Sequence, residues 1–493
     1  MQKKYVLQTL AVCLFMPQLS AMDHHADRPT NRPNIVLYVA DDLGWQSVNA
    51  TGADPKFVQT PHINELAAEG INFSNARATA SVCSPTRYAM LTGEYSWRTP
   101  LKKGVVGPAS PLMIALETET LGSYLQQRGY RTAAVGKWHL GYLAETYESQ
   151  DLLGSIDPGA NDVGFDYHFG VPNNFDDLKK VYIENDRIWG LRSHKIEPYG
   201  MSFYRKPYVG FDAPQRVSNE VMEFTTQKAI DWINEPNASE PFFMYFSAVA
   251  VHHPIIPSER FKGSSGAGLY GDFIHDIDYS LGQIVAELKE KGIFDNTIFI
   301  FTSDNGGDLP GKSTTPERIA YEKGFHFNGP VKGDKHQIYD GGLRVPFIVR
   351  WPAKISAGSK SDALISTVDI FATVAELLDG TTPDPAVAAP DSFSFAHLLS
   401  QPRAESHRPF LVHRDARGRQ ALLKGQWKLV DNVFPENDGK ESNVRGAKEL
   451  YDLSKDFKEA HNVYKLNPEV AKELEDLLDT IRNTPASRTK SYN

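Results

Sequence analysis

A chain of 493 residues that is 41% hydrophobic can bury the core of one large domain and a smaller companion, which excludes a wholly disordered protein. Its net charge of -9, with no run of basic residues, excludes nucleic acid as the main partner, because phosphate binding needs clustered lysine and arginine. An anionic small substrate in a local basic pocket stays open.

From the N-terminus, Lys3 and Lys4 precede an apolar stretch from Tyr5 to Met16 and the small-residue run Leu19-Ser20-Ala21. This is the layout of a secretory signal peptide over residues 1–21, cut after Ala21, and it predicts an exported protein, periplasmic or secreted. The stretch is too short to span a bilayer, and Leu10-Ala11-Val12-Cys13 offers lipoprotein anchoring as the alternative. No later segment is apolar for long enough to cross a membrane. With the leader removed, Cys83 is the one cysteine left. Exported proteins commonly pair their cysteines, so a solitary thiol suggests a chemical use, against the plainer reading of a buried inert side chain.

Short β-branched and aromatic runs then alternate with amphipathic stretches, the pattern of strand-helix-strand units around a mostly parallel sheet. Strands are predicted from Asn34 to Ala40, Arg131 to Val135, Phe242 to Val249, Thr297 to Thr302 and Phe347 to Val349. The clearest helix runs from Tyr270 to Lys291: Phe273, Ile277, Leu281, Ile284 and Leu288 recur at three- and four-residue steps, and Gly292 closes it. These units form an α/β domain over residues 33–380, with a large mostly parallel or mixed sheet flanked by helices. The proline-rich stretch from Gly380 to Pro390 predicts a linker over 381–392. Beyond it, short strands at Arg408 to His413, Gln420 to Leu423, Trp427 to Val430 and Lys448 to Leu453, with a helix from Pro468 to Arg482, predict a smaller α+β subdomain over 393–485.

Asp41 and Asp42 follow directly on the first strand, and Asp304 and Asn305 follow directly on the strand at Thr297 to Thr302. In a parallel sheet both pairs lie at carboxyl ends of strands, where such folds place their sites. Three carboxylates and an amide oxygen make a hard-oxygen site, with Ca2+ the first choice and Mg2+ the second. One such pair alone is more often a turn; two pairs on two strand ends reverse that weighting. Cys83-Ser84-Pro85-Thr86-Arg87 reads as the first turns of a helix whose N-terminus could hold an oxyanion, with Arg87 one turn on. Gly136-Lys137-Trp138-His139-Leu140-Gly141 puts a cation and an imidazole after a strand, and Val251-His252-His253-Pro254 offers a general acid. Lys335 lies ahead of the loop Tyr339 to Pro346. Taken singly, each is more often a solvated bystander.

Together these segments resemble the formylglycine-dependent, type I sulfatases of the alkaline phosphatase superfamily, in order from about Pro33 to Asn462. The run at Cys83 fits their Cys-x-Pro-x-Arg pattern, and Thr60-Pro61-His62, Gly164-Phe165-Asp166 and Glu449-Leu450-Tyr451-Asp452-Leu453 match as well. The resemblance implies that a formylglycine-generating maturase oxidises Cys83 to 3-oxoalanine (formylglycine), whose hydrate attacks the sulfur of a sulfate ester. It also implies that Asp41, Asp42, Asp304 and Asn305 bind one Ca2+ together with the modified Cys83. Arg87, Lys137 and Lys335 would surround nucleophile and sulfate, His252 would protonate the leaving alcohol, and His139 would take the proton that releases sulfate. His252 is preferred over His253 from its spacing to Pro254, and Asn174 stands near where relatives place a sulfate-side serine. Asp176, Asp177, His326, Asn328 and His413 fall in loops that in relatives face the leaving group, and their polarity suits a sugar. A sulfated carbohydrate is therefore the expected substrate, whether an algal polysaccharide such as ulvan or carrageenan or host glycan fragments. A phosphoester or phosphonate hydrolase on the same fold, or a catalytically silent glycan-binding relative, are the rival readings.

Overall fold

The computed structural model describes residues 32–235, 240–435 and 441–488. The leader predicted over residues 1–21, with Cys13, lies outside them. Six strands carry the large sheet: β1 (Asn34–Ala40), β2 (Arg131–Lys137), β3 (Tyr167–Val171), β4 (Phe242–Ser247), β5 (Thr297–Ser303) and β6 (Phe347–Arg350). From one edge the order is Ser359–Ser361, Ile71–Phe73, β6, β5, β1, β4, β2 and β3, followed by the short pair Ile183–Glu184 and Arg187–Ile188. β1 pairs in parallel with both β4 and β5 and is buried along its length, which is why its sequence is a nearly unbroken apolar run. β6 runs antiparallel to β5 and makes the sheet mixed.

Alternate residues of β1 serve two cores. Ile35, Leu37 and Val39 pack on one face with Leu125, Phe371 and Val374, while Val36, Tyr38 and Ala40 pack on the other with Ile277 and Leu281. Ile277 and Leu281 belong to the predicted long helix, which runs as Leu269–Glu290. β3 escapes the pattern reading because His168 and Gly170 interrupt its apolar run. His168 is nonetheless buried and satisfied, with Nδ1 3.0 Å from the Ala134 carbonyl and Nε2 2.9 Å from the Tyr142 hydroxyl.

Four antiparallel strands, β7 (Leu411–Arg414), β8 (Gln420–Lys424), β9 (Trp427–Asp431) and β10 (Glu449–Asp452), form the smaller sheet. The last helix, Pro468–Arg482, lays Leu474, Leu478 and Ile481 on its Leu422, Leu429 and Leu450. The proline-rich stretch ahead of this sheet is not a free tether. Ala388, Ala389 and Asp391 are buried, and Asp391 accepts from the Tyr95 amide at 2.8 Å and from the Arg98 guanidinium at 2.8 Å. Composition alone could not reveal those distant partners. Among the described residues no helix is long and apolar enough to cross a membrane.

Gly136, the penultimate residue of β2, sets the approach of β2 to β4. It has φ +100°, and a Cβ there would lie 2.0 Å from the Ser247 carbonyl oxygen. Gly136→Ala is expected to destabilise the fold by about 1–3 kcal/mol, from overpacking plus a backbone that L side chains avoid. The check is the urea midpoint; an unchanged midpoint would refute the close approach.

Candidate active site

The site is assembled where β1 and β5 end. Ala40 lies opposite Ser303 in the parallel register, so the next residues of the two strands emerge side by side. The Asp304 amide donates to the Ala40 carbonyl at 3.1 Å, and the Asp42 amide donates to Asp304 Oδ1 at 3.1 Å. A third element, α1 (Cys83–Thr92), starts on Cys83 itself. Thr86 braces the entry to this helix, its hydroxyl accepting from the Ala80 amide and donating to the Ala80 carbonyl. Pro85 falls in the first turn, where its missing N–H has no intrahelical acceptor to lose.

Charged side chains from these elements interlock in the interior. Lys137 Nζ, at the end of β2, lies 2.7 Å from Asp41 Oδ2; Lys335 Nζ lies 2.6 Å from Asp42 Oδ2; Arg87 Nη2 lies 2.6 Å from Asp304 Oδ2 and 3.4 Å from Asp41 Oδ1. Arg87 also donates to the Lys137 carbonyl and to the Ser247 hydroxyl. It is therefore fully committed to shaping the carboxylates, a narrower role than reaching freely toward a sulfate. Ser247 was not singled out in the sequence; its place at the end of a strand beside β1 is the signal that could have found it.

Cys83 Sγ sits 3.4 Å from Lys137 Nζ and 3.7 Å from Asp41 Oδ1, with the residue only 1% exposed. Burial drives its pKa upward, and the opposing Lys137 and Lys335 do not compensate. The encoded thiol stays protonated and is a poor nucleophile as it stands. Burial also raises Asp41 to about 7, helped by the like charges of Asp304 and Asp42 against Lys137. For Asp42 burial is outweighed by Lys335 and Lys137, which hold it below the ordinary carboxylate range.

These donors fit a hard divalent cation. Oxygens of Asp41 and Asp304 and the Cys83 sulfur all lie within 4.8 Å of one another. Asn305 turns its Nδ2 to Asp42 Oδ1 at 2.8 Å and leaves its own Oδ1 buried without a partner. A buried amide oxygen with no donor, set among crowded carboxylates, is the ligand set such an ion takes. Asp42 and His139 moreover hold left-handed φ values of 58° and 55°, uncommon outside glycine.

The two predicted proton carriers are both buried, and burial followed by nearby lysines depresses their pKa values, so both imidazoles rest neutral. His139 Nε2 lies 3.2 Å from the Val106 carbonyl, to which only an N–H can donate, which leaves Nδ1 as a buried lone pair without a partner. His252 Nδ1 lies 2.6 Å from the His253 carbonyl, and its Nε2 points toward Asp42 Oδ2 at 3.8 Å. His253 instead faces Asp308, with Nδ1 3.3 Å from Oδ2. The Asp308 carboxylate also lies 4.0 Å from His336 Nδ1, and this rim group went unread in the sequence.

The residues expected to face a leaving group divide. Asn174 is half-buried and donates from Nδ2 to the Tyr204 hydroxyl at 3.1 Å. His326 is exposed, its ring edge-on to Tyr321. Asn328 is turned onto the Gly307 backbone, bonding both its amide and its carbonyl. Asp176 and Asp177 are corrected: both are buried, Asp176 accepting from the Phe203 amide and Tyr208 hydroxyl, and Asp177 paired with Arg216 at 2.7 Å. His413 is corrected too, since it lies inside β7 rather than in a loop, fully buried with Nδ1 3.1 Å from the Ala78 carbonyl. Polarity in a sequence cannot tell a ligand-facing carboxylate from one with a buried cation far along the chain.

Residues 33–381 match the family model described as Sulfatase. Over 490 residues the chain is 35% identical to an N-acetylgalactosamine-6-O-sulfatase of Bacteroides thetaiotaomicron, covering 92% of this chain and 94% of that protein. It is 30% identical over 397 residues to the N-acetylgalactosamine-6-sulfatase of Homo sapiens, covering 78% of this chain and 68% of that one. A solved structure from Bacteroides thetaiotaomicron, described under the metabolism of multiple glycosaminoglycans, superposes with a TM-score of 0.82 at 34% identity, covering 92% of this chain and 100% of that chain. The alkaline phosphatase-like fold, a large mixed sheet flanked by helices with a smaller C-terminal sheet, is thereby borne out. With the match spanning most of its length and both sheets in place, this chain belongs to the sulfatase family and is a sulfuric ester hydrolase.

Proposed function

We propose that this sulfatase removes the 6-O-sulfate of N-acetylgalactosamine residues in sulfated glycans, using formylglycine at position 83 and Ca2+. The observation that carries the substrate is the similarity to N-acetylgalactosamine-6-sulfatases, along 92% of this chain for the bacterial relative and 78% for the human one. The depth of the site agrees with it. Cys83, Arg87 and Lys137 are all essentially buried, which suits a sulfate carried outward from its ring on an exocyclic primary carbon.

When matured, position 83 would supply an aldehyde hydrate as nucleophile, and Ca2+ held by Asp41, Asp42, Asp304 and Asn305 would supply positive charge beside it. The side chains do the remaining work. Asp41, Asp42 and Asp304 offset the charges of Arg87, Lys137 and Lys335, and a divalent cation held there would add the net positive charge that draws in a sulfate monoanion. Lys137 and Lys335 stay charged because, against the cost of burial, Asp41 and Asp42 hold their pKa values up. His252, held through Nδ1–H on the His253 carbonyl, would hand a proton from Nε2 to the leaving oxygen once it has taken one up. His139, fixed by Val106, presents Nδ1 as the base for the second step. The leader-like sequence of residues 1–21 supports an exported protein that meets its glycan outside the cytoplasm.

The test is sulfate release by enzyme from the native host on 6-O- and 4-O-sulfated N-acetylgalactosamine, a chromogenic aryl sulfate and an aryl phosphate. The 6-O-sulfate is expected to exceed the 4-O-sulfate in kcat/KM by about a hundredfold or more, the scale on which a shaped polar pocket discriminates. Preference for the 4-O-sulfate would overturn the substrate. Aryl phosphate outrunning aryl sulfate would overturn the reaction.

A further inference from the structure

The exposed tip of the hairpin around Tyr199 and Tyr208 is not accounted for by the chemistry above. Tyr199 and Tyr208 pair antiparallel, and the Ser202 amide donates to the Lys206 carbonyl at 2.8 Å across the turn. The tip carries Met201, Phe203 and Tyr204, which are 60%, 54% and 41% exposed. Single apolar residues on a surface mean little, but three within four positions beside a charged cleft form a patch that asks for a ligand. Two of them reach the cleft. The rings of Phe203 and Tyr204 lie 5.4 and 6.4 Å from the ring of His253, which lies 4.4 Å from the ring of His252. They therefore border the side from which the leaving oxygen would be protonated. Tyr204 also accepts from Asn174, whose Oδ1 is buried and unpartnered.

The hairpin is held in place from beneath. Asp176 accepts from the Phe203 amide at 2.9 Å and the Tyr208 hydroxyl at 2.8 Å, and it pairs with Lys180 at 3.3 Å. We infer that Phe203 and Tyr204 form a platform for the sugar that carries the scissile sulfate, with Phe203 packing on the apolar C–H face of the ring and Asn174 with Tyr204 engaging a polar substituent at its edge. Asp176 is a positioning residue that fixes the platform over the cleft. An aromatic body with a polar handle suits a ring that is apolar on its faces and polar at its rim. This rests on the reading of the substrate as a sulfated sugar.

The experiment compares wild type, Phe203→Ala, Tyr204→Ala and Phe203→Trp on 6-O-sulfated N-acetylgalactosamine and on an alkyl sulfate that has no ring. Each alanine variant is expected to raise KM for the sugar about tenfold with a much smaller fall in kcat, the scale of one lost ring contact. Phe203→Trp restores the low KM, and Asp176→Asn repeats the KM rise without touching substrate. The sugar-over-alkyl preference in kcat/KM falls about tenfold in the alanine variants. An unchanged KM for the sugar in both alanine variants, in an enzyme that turns the sugar over, overturns the platform alone. A wild type that hydrolyses the alkyl sulfate but no sulfated sugar overturns the glycan reading itself, and the platform with it.

Discussion

Cys83→Ala is expected to cost roughly ten-thousandfold or more in kcat/KM, the scale seen when a nucleophile that acts as part of a unit is removed. The fold should survive. Among the described residues the thiol makes two polar contacts, to Lys137 and Asp41, and deleting one small buried side chain to alanine costs on the order of 1 kcal/mol. A near-normal unfolding midpoint beside a collapsed rate would therefore separate chemistry from stability. The companion measurement is mass spectrometry of the peptide containing position 83 from active wild-type enzyme. Position 83 should carry an aldehyde and resist thiol alkylation. A buried thiol whose pKa burial pushes up is a weak nucleophile, so an active enzyme whose Cys83 remains fully alkylatable once unfolded would refute the proposed maturation.

Much of this site was readable in the sequence because its parts lie at the ends of predictable strands. The apolar runs of β1 and β5 are unambiguous, and parallel pairing then forces Asp41 and Asp42 to emerge beside Asp304 and Asn305. Cys83 and Arg87 are one helical turn apart in sequence, so their proximity is local. The strain-bearing and long-range features were less legible. Nothing around Gly136 announces that its missing Cβ lets β2 approach Ser247, and Arg87 could not be seen to spend its donors on Asp304, Asp41, Ser247 and the Lys137 backbone. Asp177 and Arg216 are far apart in the chain, and only their 2.7 Å contact reveals that a polar loop residue serves the interior. His413 shows the same limit, since an imidazole bonded to a distant carbonyl in a strand has the same letter as one facing a sugar.

Asp304→Ala is expected to abolish turnover and also to lower stability, and the two losses have different origins. Asp304 is the carboxylate nearest Arg87, with Oδ2 2.6 Å from Nη2 and 2.9 Å from Nε, and both side chains are fully buried. Removing it strands a guanidinium in the interior, and breaking one side of a buried pair typically costs about 3–5 kcal/mol. That loss occurs with or without a metal. The ligand role is instead read from the response to Ca2+. In wild type, an ion that binds only the folded state at a hundred times its Kd stabilises by about 2.7 kcal/mol, which appears as a rise in Tm on adding Ca2+ after chelation. In the variant the crowding of Asp41, Asp42 and Asp304 around the orphaned Asn305 oxygen is relieved, and with it the reason for the ion to bind. The variant should therefore start from a lower Tm in chelator and gain little or nothing when Ca2+ is restored. A variant that gains as much as wild type would leave Asp304 as a structural partner of Arg87 and remove it from the metal site. A wild type indifferent to both Ca2+ and Mg2+ would place the whole burden of neutralising these carboxylates on Arg87, Lys137 and Lys335.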